Sequence, residues 1–339
     1  RGWRYHAARA YLWPGKKPRN LKIITRAMVT NLTFDGSRCT GVRYQKGASV
    51  KTVKATASVT ISAGTLSTPK ILMLSGIGPE EDLKNHGIDV RHNAPGVGQN
   101  LQEHPEGMVS IEVNQSTYNT EINSWKIILH AANWLLFGRG PATSPYPHAV
   151  AFTKSDPAQN YADLQIQLGP YAFSFDENGV IPHDKPAISA AVNIAYPKTR
   201  GTVRLKSNDP LAPPIITHNL FDKEEDLVKL IEGCRSVRQL LSGPAFAQHR
   251  TAELLPGEDV QSDDEWAAFL RKTAFLGYHV VGTCRMGSDS DSVVTPDLKV
   301  RGVDGLRVAD ASIMPDLISG NTNATALMIG EKAADLIAG

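Results

Sequence analysis

The chain has 339 residues, of which 41% are hydrophobic and 21% charged, and its formal net charge is +2. This balance is typical of a globular protein with one large domain or two ordinary ones. Lysine and arginine are scattered, which argues against a nucleic-acid partner, and no apolar run is long enough for a membrane span. Three widely spaced cysteines form no metal-binding pattern. We expect them to be small buried residues, which is compatible with a cytoplasmic location.

The first predicted unit is rich in β-strands. Its β-branched runs are separated by Asp35-Gly36 and Lys46-Gly47, two hairpin signals. The runs occupy residues 21–27, 29–34, 41–46 and 54–63.

The last run leads through a glycine turn into a predicted helix. Ser67 or Thr68 is the expected N-cap, with Pro69 just inside the helix and Ser75-Gly76 as its end. A second short helix is predicted to follow Pro79 and to end at Gly87.

From about residue 105 the sequence predicts strands and contains many prolines. An amphipathic helix is predicted over residues 222–241, because apolar side chains recur there at helical spacing. Residues 125–137 predict a buried or partly buried helix, although Lys126, His130 and Asn133 interrupt it. The predicted strands of this part are residues 164–168, 188–195 and 202–205.

Residues 277–339 return to alternating strand and helix. A short strand is predicted over 306–310, and the turn Gly320–Asn323 opens a helix over 324–337. Both asparagines of that turn could serve as helix caps, but capping needs only one of them.

Four segments have a pattern that suggests chemistry, and each has a simpler explanation. Residues 64–78 form a strand end, a tight turn and a helix, against which an extended cofactor can lie. Residues 95–104 predict an ordinary surface loop from composition. In residues 278–287, His279 by itself is more typical of a core histidine than of a base. In residues 308–325, Asp310 ends a strand where a sugar hydroxyl can be bound.

Taken together, these four segments resemble the glucose–methanol–choline (GMC) oxidoreductase family over essentially the whole chain. The motifs are the run from Gly64 to Gly78, GVGQNL followed by His104, HVVGT ending in Met286-Gly287, and VADAS followed by SGNTNA. The N-terminal stretch ARAYL is also similar to the family, and the last motif is most similar to its bacterial alcohol and choline dehydrogenase-like branch.

One family feature has no counterpart in these residues. Family members begin with a strand, a GxGxxG turn and a helix that bind the flavin pyrophosphate, and no such motif precedes a helix here. The chain therefore resembles the C-terminal two-thirds of a member. A separate chain carrying the N-terminal FAD-binding part is one possible partner.

The resemblance implies an α/β (α+β) fold in two parts. Residues 1–104 and 277–339 would form a partial, Rossmann-like FAD-binding domain. Residues 105–276 would form an inserted substrate-binding domain with an antiparallel sheet.

The resemblance also implies an FAD-dependent oxidation of the CH–OH group of a small alcohol. His279 would be the base that removes the hydroxyl proton while a hydride passes to flavin N5, and Asn321 would hold the substrate oxygen. The electron acceptor, oxygen or another, is not implied. The residues expected to contact FAD are Val29, Ala63, Gly64, Tyr278, Asp310, Ala311, Asn323 and Thr325.

Two other functions stay open from the sequence. Some relatives with this fold are flavin-containing lyases, and the chain could also be a fragment or subunit that is inactive without its N-terminal part. We expect His104 to be structural and Arg285 to pack or to form a local salt bridge. The aromatic residues Tyr146, Tyr171, Phe173 and Phe175 are more typical of a core than of a pocket.

Overall fold

The computed structural model describes residues 2–13, 15, 18–122, 124–176 and 179–339. Its strands are β1 (Met28–Asp35), β2 (Arg38–Lys46), β3 (Ser49–Lys54), β4 (Val59–Ile61), β5 (Ile77–Gly78), β6 (His92–Asn93), β7 (Pro105–Val113), β8 (Ala149–Thr153), β9 (Leu164–Gly169), β10 (Phe173–Asp176), β11 (Gly179–Pro182), β12 (Ala187–Ile194), β13 (Thr202–Arg204), β14 (Ile215–Thr217), β15 (Arg250–Leu255), β16 (Phe275–Leu276) and β17 (Leu306–Val308). Its α-helices are α1 (Ser67–Leu74), α2 (Glu80–Asn85), α3 (Tyr118–Ile122), α4 (Lys126–Phe137), α5 (Glu224–Leu241), α6 (Pro244–Ala247), α7 (Asp263–Thr273) and α8 (Asn323–Ala338). No helix of the described residues is both long and apolar enough to cross a bilayer.

The chain divides into two compact units. Unit A contains the described part of residues 1–16 together with 104–196 and 223–277, and unit B contains the described part of 17–103 together with 197–222 and 278–339. Two stretches fall outside the predicted domain bounds: the described part of residues 1–16, which belongs to unit A, and residues 197–222, which belong to unit B. Residues 197–222 join unit B because Gly201 and Val203 bond to the backbone of Leu101 and Gly98. The assignment of one unit to cofactor and the other to substrate stays a prediction.

Unit A is built on a large antiparallel sheet. Its strand order is β15-β7-β12-β9-β8, and β16 also pairs with β7. The strands predicted at 164–168 and 188–195 are confirmed as β9 and β12. Helix α5 packs on this sheet through the face that the apolar spacing predicted, and all six of its predicted apolar positions are buried. They are Leu227, Leu230, Ile231, Cys234, Val237 and Leu241.

Glycine allows α5 to lie close to this sheet. A Cβ on Gly233 of α5 would meet Val192 Cγ1 on β12 at 2.7 Å. A Cβ on Gly107 of β7 would meet Cys234 Sγ of α5 at 2.6 Å. Real Cβ atoms do not approach other heavy atoms so closely, so the sheet and the helix depend on glycine at both positions.

Helix α4 is partly buried, which is one of the two possibilities that the sequence predicted for residues 125–137. No residue of α4 is fully buried, and its half-buried side chains include the polar Lys126, His130 and Asn133. His130 Nε2 lies 2.8 Å from Glu121 Oε2 and Lys126 Nζ lies 3.5 Å from Glu121 Oε1, so two of these polar side chains have a charged partner on the half-buried face. The apolar residues Ile128, Leu136 and Phe137 are 69–74% exposed as a result.

Unit B begins with an antiparallel meander, β1-β2-β3. The two predicted hairpins are confirmed, with Gly36 at φ +55° and Gly47 at φ +59°, the left-handed region that glycine adopts without strain. Residues 21–27 were predicted as a strand and are not one, because the strand begins only at Met28. Ile23 and Ile24 are exposed, and no strand of the described residues pairs with them.

A short parallel pair, β4 with β17, lies next to the core of unit B. The core cluster includes Ile61 at the end of β4, Val308 at the end of β17, and Leu72 of α1. The carboxyl ends of parallel strands share one edge of a sheet, so the residues that follow Ile61 and Val308 lie side by side. This is the edge at which open α/β sheets bind ligands.

The three cysteines are free and buried, as the sequence predicted. Cys39 and Cys284 belong to unit B and Cys234 to unit A. Burial raises the pKa of the Cys234 thiol to about 12 and also raises that of Cys284.

Candidate active site

The structure brings His279 and Asn321 together. Asn321 Nδ2 lies 2.9 Å from His279 Nε2, although the residues are 42 positions apart in the chain. An amide nitrogen donates, so this contact is a hydrogen bond in the tautomer whose proton lies on His279 Nδ1 and whose Nε2 is the acceptor. In that tautomer the imidazole is neutral.

Burial keeps the His279 imidazole in its neutral form. The residue is 8% exposed, and the loss of water lowers the pKa of its imidazole from the usual 6.5. At neutral pH a histidine of this kind is an available proton acceptor.

The backbone of His279 is held on both sides. Tyr278 has φ +60°, a left-handed conformation that is rare for a non-glycine residue. The His279 N–H donates to both carboxylate oxygens of Glu103, at 2.7 and 2.9 Å. Two residues later, Val281 forms an antiparallel bridge with Gln102.

Asp310 joins the ends of the two parallel strands. Its Oδ2 accepts hydrogen bonds from the Gly64 amide at 2.9 Å and from the Thr68 hydroxyl at 2.6 Å. Its Oδ1 accepts from the Ser312 amide at 2.8 Å. The N-cap of α1 is Leu66, which makes no side-chain bond, whereas the sequence predicted Ser67 or Thr68. Thr68 does not cap the helix because its hydroxyl bonds to Asp310 and to the Ala63 amide.

Gly64 leaves an open space at this edge. It has φ +83°, and a Cβ at this position would meet no other heavy atom within 4 Å. Ala63 before it is exposed. The turn between β4 and α1 therefore has room for a ligand that lies along the strand ends.

The N-terminus of α8 lies directly after Asn321. The N-cap is Thr322, with no side-chain cap bond, so neither asparagine has the capping role that was the simpler explanation. Asn323 and Ala324 are exposed in the first turn. The free N–H groups and partial positive charge of a 16-residue helix are thus presented beside the His279–Asn321 pair.

These features fit part of an FAD molecule. All the residues expected to contact FAD lie in unit B, and the open turn at Gly64, the buried carboxylate of Asp310 and the exposed helix start supply space, an acceptor and donors. Ala311 is tied to the His279 segment, because its carbonyl accepts from Gly282 N at 3.3 Å. Val29 is different: it pairs with Tyr44 on β2 and packs on the core, and no described hydrogen bond joins it to the other expected residues.

The segment 95–104 was predicted from composition to be a surface loop, and this prediction is wrong at its C-terminal end. Gln102, Glu103 and His104 are 2%, 8% and 0% exposed. His104 is structural as expected, with Nε2 3.3 Å from the Ala195 carbonyl. Sequence reasoning missed Gln102 and Glu103, and the only signal for them was that polar residues directly follow closely spaced glycines.

Unit A has its own cavities, lined in part by the aromatic residues of β10. Phe173 lines one of about 300 Å³ together with His183, and Phe175 lines another of about 270 Å³ together with Phe269 and Phe275. The expectation that these aromatic residues belong to a core is wrong, since none of them is buried. Tyr146 and Tyr171 do not line either cavity.

The prediction for Arg285 has a clear outcome. Arg285 forms a salt bridge with Asp289, Nη2 to Oδ1 at 2.7 Å, as one of the two expectations stated. Among the described residues, no group of three histidine, cysteine or carboxylate side chains is placed to hold a metal ion.

Comparison with protein families gives two matches. Residues 1–106 match the N-terminal model and residues 197–330 the C-terminal model of a family described as GMC oxidoreductase. The chain is 41% identical over 345 residues to an oxygen-dependent choline dehydrogenase from Sinorhizobium fredii, and 38% identical over 341 residues to one from Brucella canis. Each comparison covers 100% of this chain but only 62% of the relative's length.

Solved structures give the same picture. Pyridoxine 4-oxidase from Mesorbium loti superposes with a TM-score of 0.84 and 27% identity, over 98% of this chain and 62% of that one. A formate oxidase superposes with a TM-score of 0.88 and 26% identity, over 97% of this chain and 62% of that one. A fungal aryl-alcohol oxidase superposes with a TM-score of 0.83 and 25% identity, over 99% of this chain and 64% of that one.

Proposed function

We propose a function from one premise: this chain belongs to the GMC oxidoreductase family. The proposed function is FAD-dependent oxidation of the CH–OH group of an alcohol, with His279 and Asn321 as the catalytic pair. The observation that carries it is the 2.9 Å contact between Asn321 Nδ2 and Nε2 of His279. When a substrate hydroxyl takes the place of this direct contact, the two groups offer its oxygen one acceptor and one donor.

His279 acts as the base in this proposal. Its burial lowers the pKa of the imidazole, which favours the neutral form that can take the hydroxyl proton at neutral pH. Asn321 cannot take a proton, and its amide instead donates to the oxygen as negative charge develops there. FAD, when bound, accepts the hydride that leaves the carbinol carbon.

The remaining residues are proposed to hold and orient the cofactor. The open turn at Gly64 and the strand-end carboxylate of Asp310 support a binding edge for the cofactor. Tyr278 is 83% exposed and directly precedes the base. Asn323 and Thr325 lie in the first turn of α8, at the positive end of the helix, and this end favours negative charge beside it. The full set proposed to contact FAD is Val29, Ala63, Gly64, Tyr278, Asp310, Ala311, Asn323 and Thr325.

For the substrate we propose a choline-type amino alcohol. This rests on the relatives named as oxygen-dependent choline dehydrogenases at 38–41% identity. The chain spans 62% of the length of those relatives.

The test begins with flavin binding. The purified chain is mixed with FAD and passed over a gel-filtration column, and the eluted protein is examined for flavin absorbance. Choline is then added without oxygen, and we expect the absorbance to bleach. A colourless eluate, or a yellow chain that no alcohol bleaches, contradicts the proposed function for this chain by itself.

Variants then test the two named residues. We expect His279→Gln to slow bleaching by about 10²–10⁴-fold, the usual contribution of a general base, while His249→Gln in unit A leaves the rate unchanged. In the unaltered chain, the bleaching rate should fall only as the pH drops below 6.5, because burial lowers the pKa of His279. A midpoint above 6.5 would show that His279 is not the titrating base.

A further inference from the structure

Two adjacent buried residues, Gln102 and Glu103, contact the two chain segments that carry His279 and Asn321. Each side chain bonds to the backbone that leads to one of them. This arrangement suggests a shared task for the pair.

Glu103 holds the His279 segment. Both of its carboxylate oxygens accept from the His279 N–H, at 2.7 and 2.9 Å. The preceding residue, Tyr278, is in the left-handed region at φ +60°, which costs a non-glycine residue conformational energy. A charged acceptor on the next amide offsets that cost and fixes the direction in which the His279 side chain leaves the backbone.

Gln102 holds the segment before Asn321. Its Nε2 donates to the Pro315 carbonyl at 3.0 Å, and its Oε1 accepts from the Leu317 amide at 3.1 Å. The backbone of Gln102 is bonded in both directions to Val281, two residues after His279, at 3.0 and 3.1 Å. One residue therefore ties the Pro315–Leu317 segment to the segment that carries His279.

Gln102 and two of the residues that it contacts, Val281 and Leu317, are buried. Gln102 is 2% exposed, Val281 is 0% exposed and Leu317 is 3% exposed. Asn100 adds a further bond to the Pro315 carbonyl at 3.1 Å. Buried polar contacts of this kind are expensive to leave unmade, so they resist rearrangement.

We propose that Gln102 and Glu103 are positioning residues that hold His279 and Asn321 at hydrogen-bonding distance from each other. Their importance for catalysis rests on the function proposed above, whereas their effect on the geometry of the pair does not. The segment 95–104, which the sequence predicted as a surface loop, thus positions the His279–Asn321 pair.

The test uses nuclear magnetic resonance of the full chain with ¹⁵N-labelled histidine. Two signals are followed: hydrogen exchange at the His279 amide, which reports the bond to Glu103, and the ¹⁵N shift of His279 Nε2, which reports the bond from Asn321. Asn321→Ala supplies the ring signal expected when that bond is absent. Glu81→Gln removes one exposed negative charge of the same unit and is the control.

In Glu103→Gln we expect the His279 amide to exchange at least about tenfold faster, since a charged acceptor is replaced by a weaker neutral one. We expect the ring signal to move toward that of Asn321→Ala, and to do so in Gln102→Leu as well. Glu81→Gln should change neither signal. Thermal unfolding measured on each variant confirms that the chain is folded.

Two outcomes overturn the proposal. If the amide exchanges faster while the ring signal stays in place, Glu103 only supports the backbone. If neither signal changes in a folded Glu103→Gln chain, the residue has no positioning role. Because both readouts are independent of flavin and turnover, an inactive chain would contradict the proposed function and leave this inference intact.

Discussion

His279 and Glu106 are both buried, and burial pushes both toward their neutral forms. In His279 it lowers the pKa of the imidazole, and in Glu106 of unit A it raises the pKa of the carboxyl group from 4.5 to about 7. Asn193 Nδ2 donates to Oε1 of that carboxyl at 3.2 Å, and this bond lowers the pKa less than burial raises it. Glu106 therefore binds a proton more tightly in the folded chain than in the unfolded one.

The consequence is a pH-dependent stability. Because the folded-state pKa of Glu106 is raised, its contribution is complete below pH 4.5 and is lost as the pH rises through about 7. We expect Glu106→Gln to remove this loss, so that the variant has a larger free energy of unfolding at pH 8, by up to about 3 kcal/mol. At pH 4.5 the two chains should be equally stable.

Urea unfolding at pH 4.5 and pH 8 measures this difference. Glu258→Gln, at an exposed position of the same unit, should leave both free energies unchanged. Equal stability of wild type and Glu106→Gln at pH 8 would mean that Glu106 is ionised in the fold without cost.

At the residue scale, the sequence predicted identities better than contacts. His279 and Asn321 were singled out by their motifs, but only the fold shows that their side chains share a hydrogen bond across 42 positions. Glu103 was missed because a carboxylate that accepts from a distant backbone amide leaves no spacing pattern in the sequence. Contacts of this kind depend on which segments the topology places side by side.

At the scale of elements, helices were predictable where one face is apolar and less so where it is not. Helix α5 begins two residues later than predicted and buries the expected face. In α4 apolar and polar residues surround the axis, so the spacing could not say which side packs, and the Glu121 contact decided for the polar side. The run at 21–27 failed as a strand because strand formation needs a neighbour, which a local pattern cannot supply.

Two helical glycines give opposite predictions for the same substitution. Gly233→Ala places a Cβ 2.7 Å from Val192 Cγ1, and Gly330→Ala in α8 places one where no atom lies within 4 Å. We expect Gly233→Ala to destabilise the chain by about 1–3 kcal/mol through overpacking. We expect Gly330→Ala to stabilise it by roughly 0.5–1 kcal/mol, because alanine is the better helix former.

Chemical denaturation of the two variants in parallel checks this prediction. The substitution, the residue type and the helical setting are matched, so only the surroundings differ. A stabilised Gly233→Ala chain would show that α5 can move away from β12 at little cost.

At the scale of the whole molecule, the two units differ in what the sequence could predict of them. The antiparallel sheet of unit A was expected from its strand-like runs and was found. In unit B the parallel pair β4–β17 joins residues almost 250 positions apart, and no local pattern signals such a pairing. The assignment of residues 197–222 was missed for the same reason, since it depends on bonds to Gly98 and Leu101.

The division into units also separates two kinds of spectroscopic reporter. All five tryptophans, at positions 3, 13, 125, 134 and 266, belong to segments of unit A. Two of the three thiols, Cys39 and Cys284, belong to unit B. Tryptophan emission therefore reports on unit A, whereas the labelling of Cys39 and Cys284 reports on unit B.

We expect the native chain to react with a thiol reagent roughly a thousandfold more slowly than the chain in urea, because all three thiols are buried and burial raises their pKa. Replacing Cys234 with alanine confines the reaction to unit B. Fast labelling of that variant in its native state would contradict the burial of Cys39 and Cys284.

Unit B, which carries the His279–Asn321 pair, thus contributes no tryptophan fluorescence. A tryptophan introduced at the exposed position Tyr278 would be the only indole of that unit, directly next to His279. Its emission would report the binding of a ligand at the pair, measured against the constant tryptophan emission of unit A.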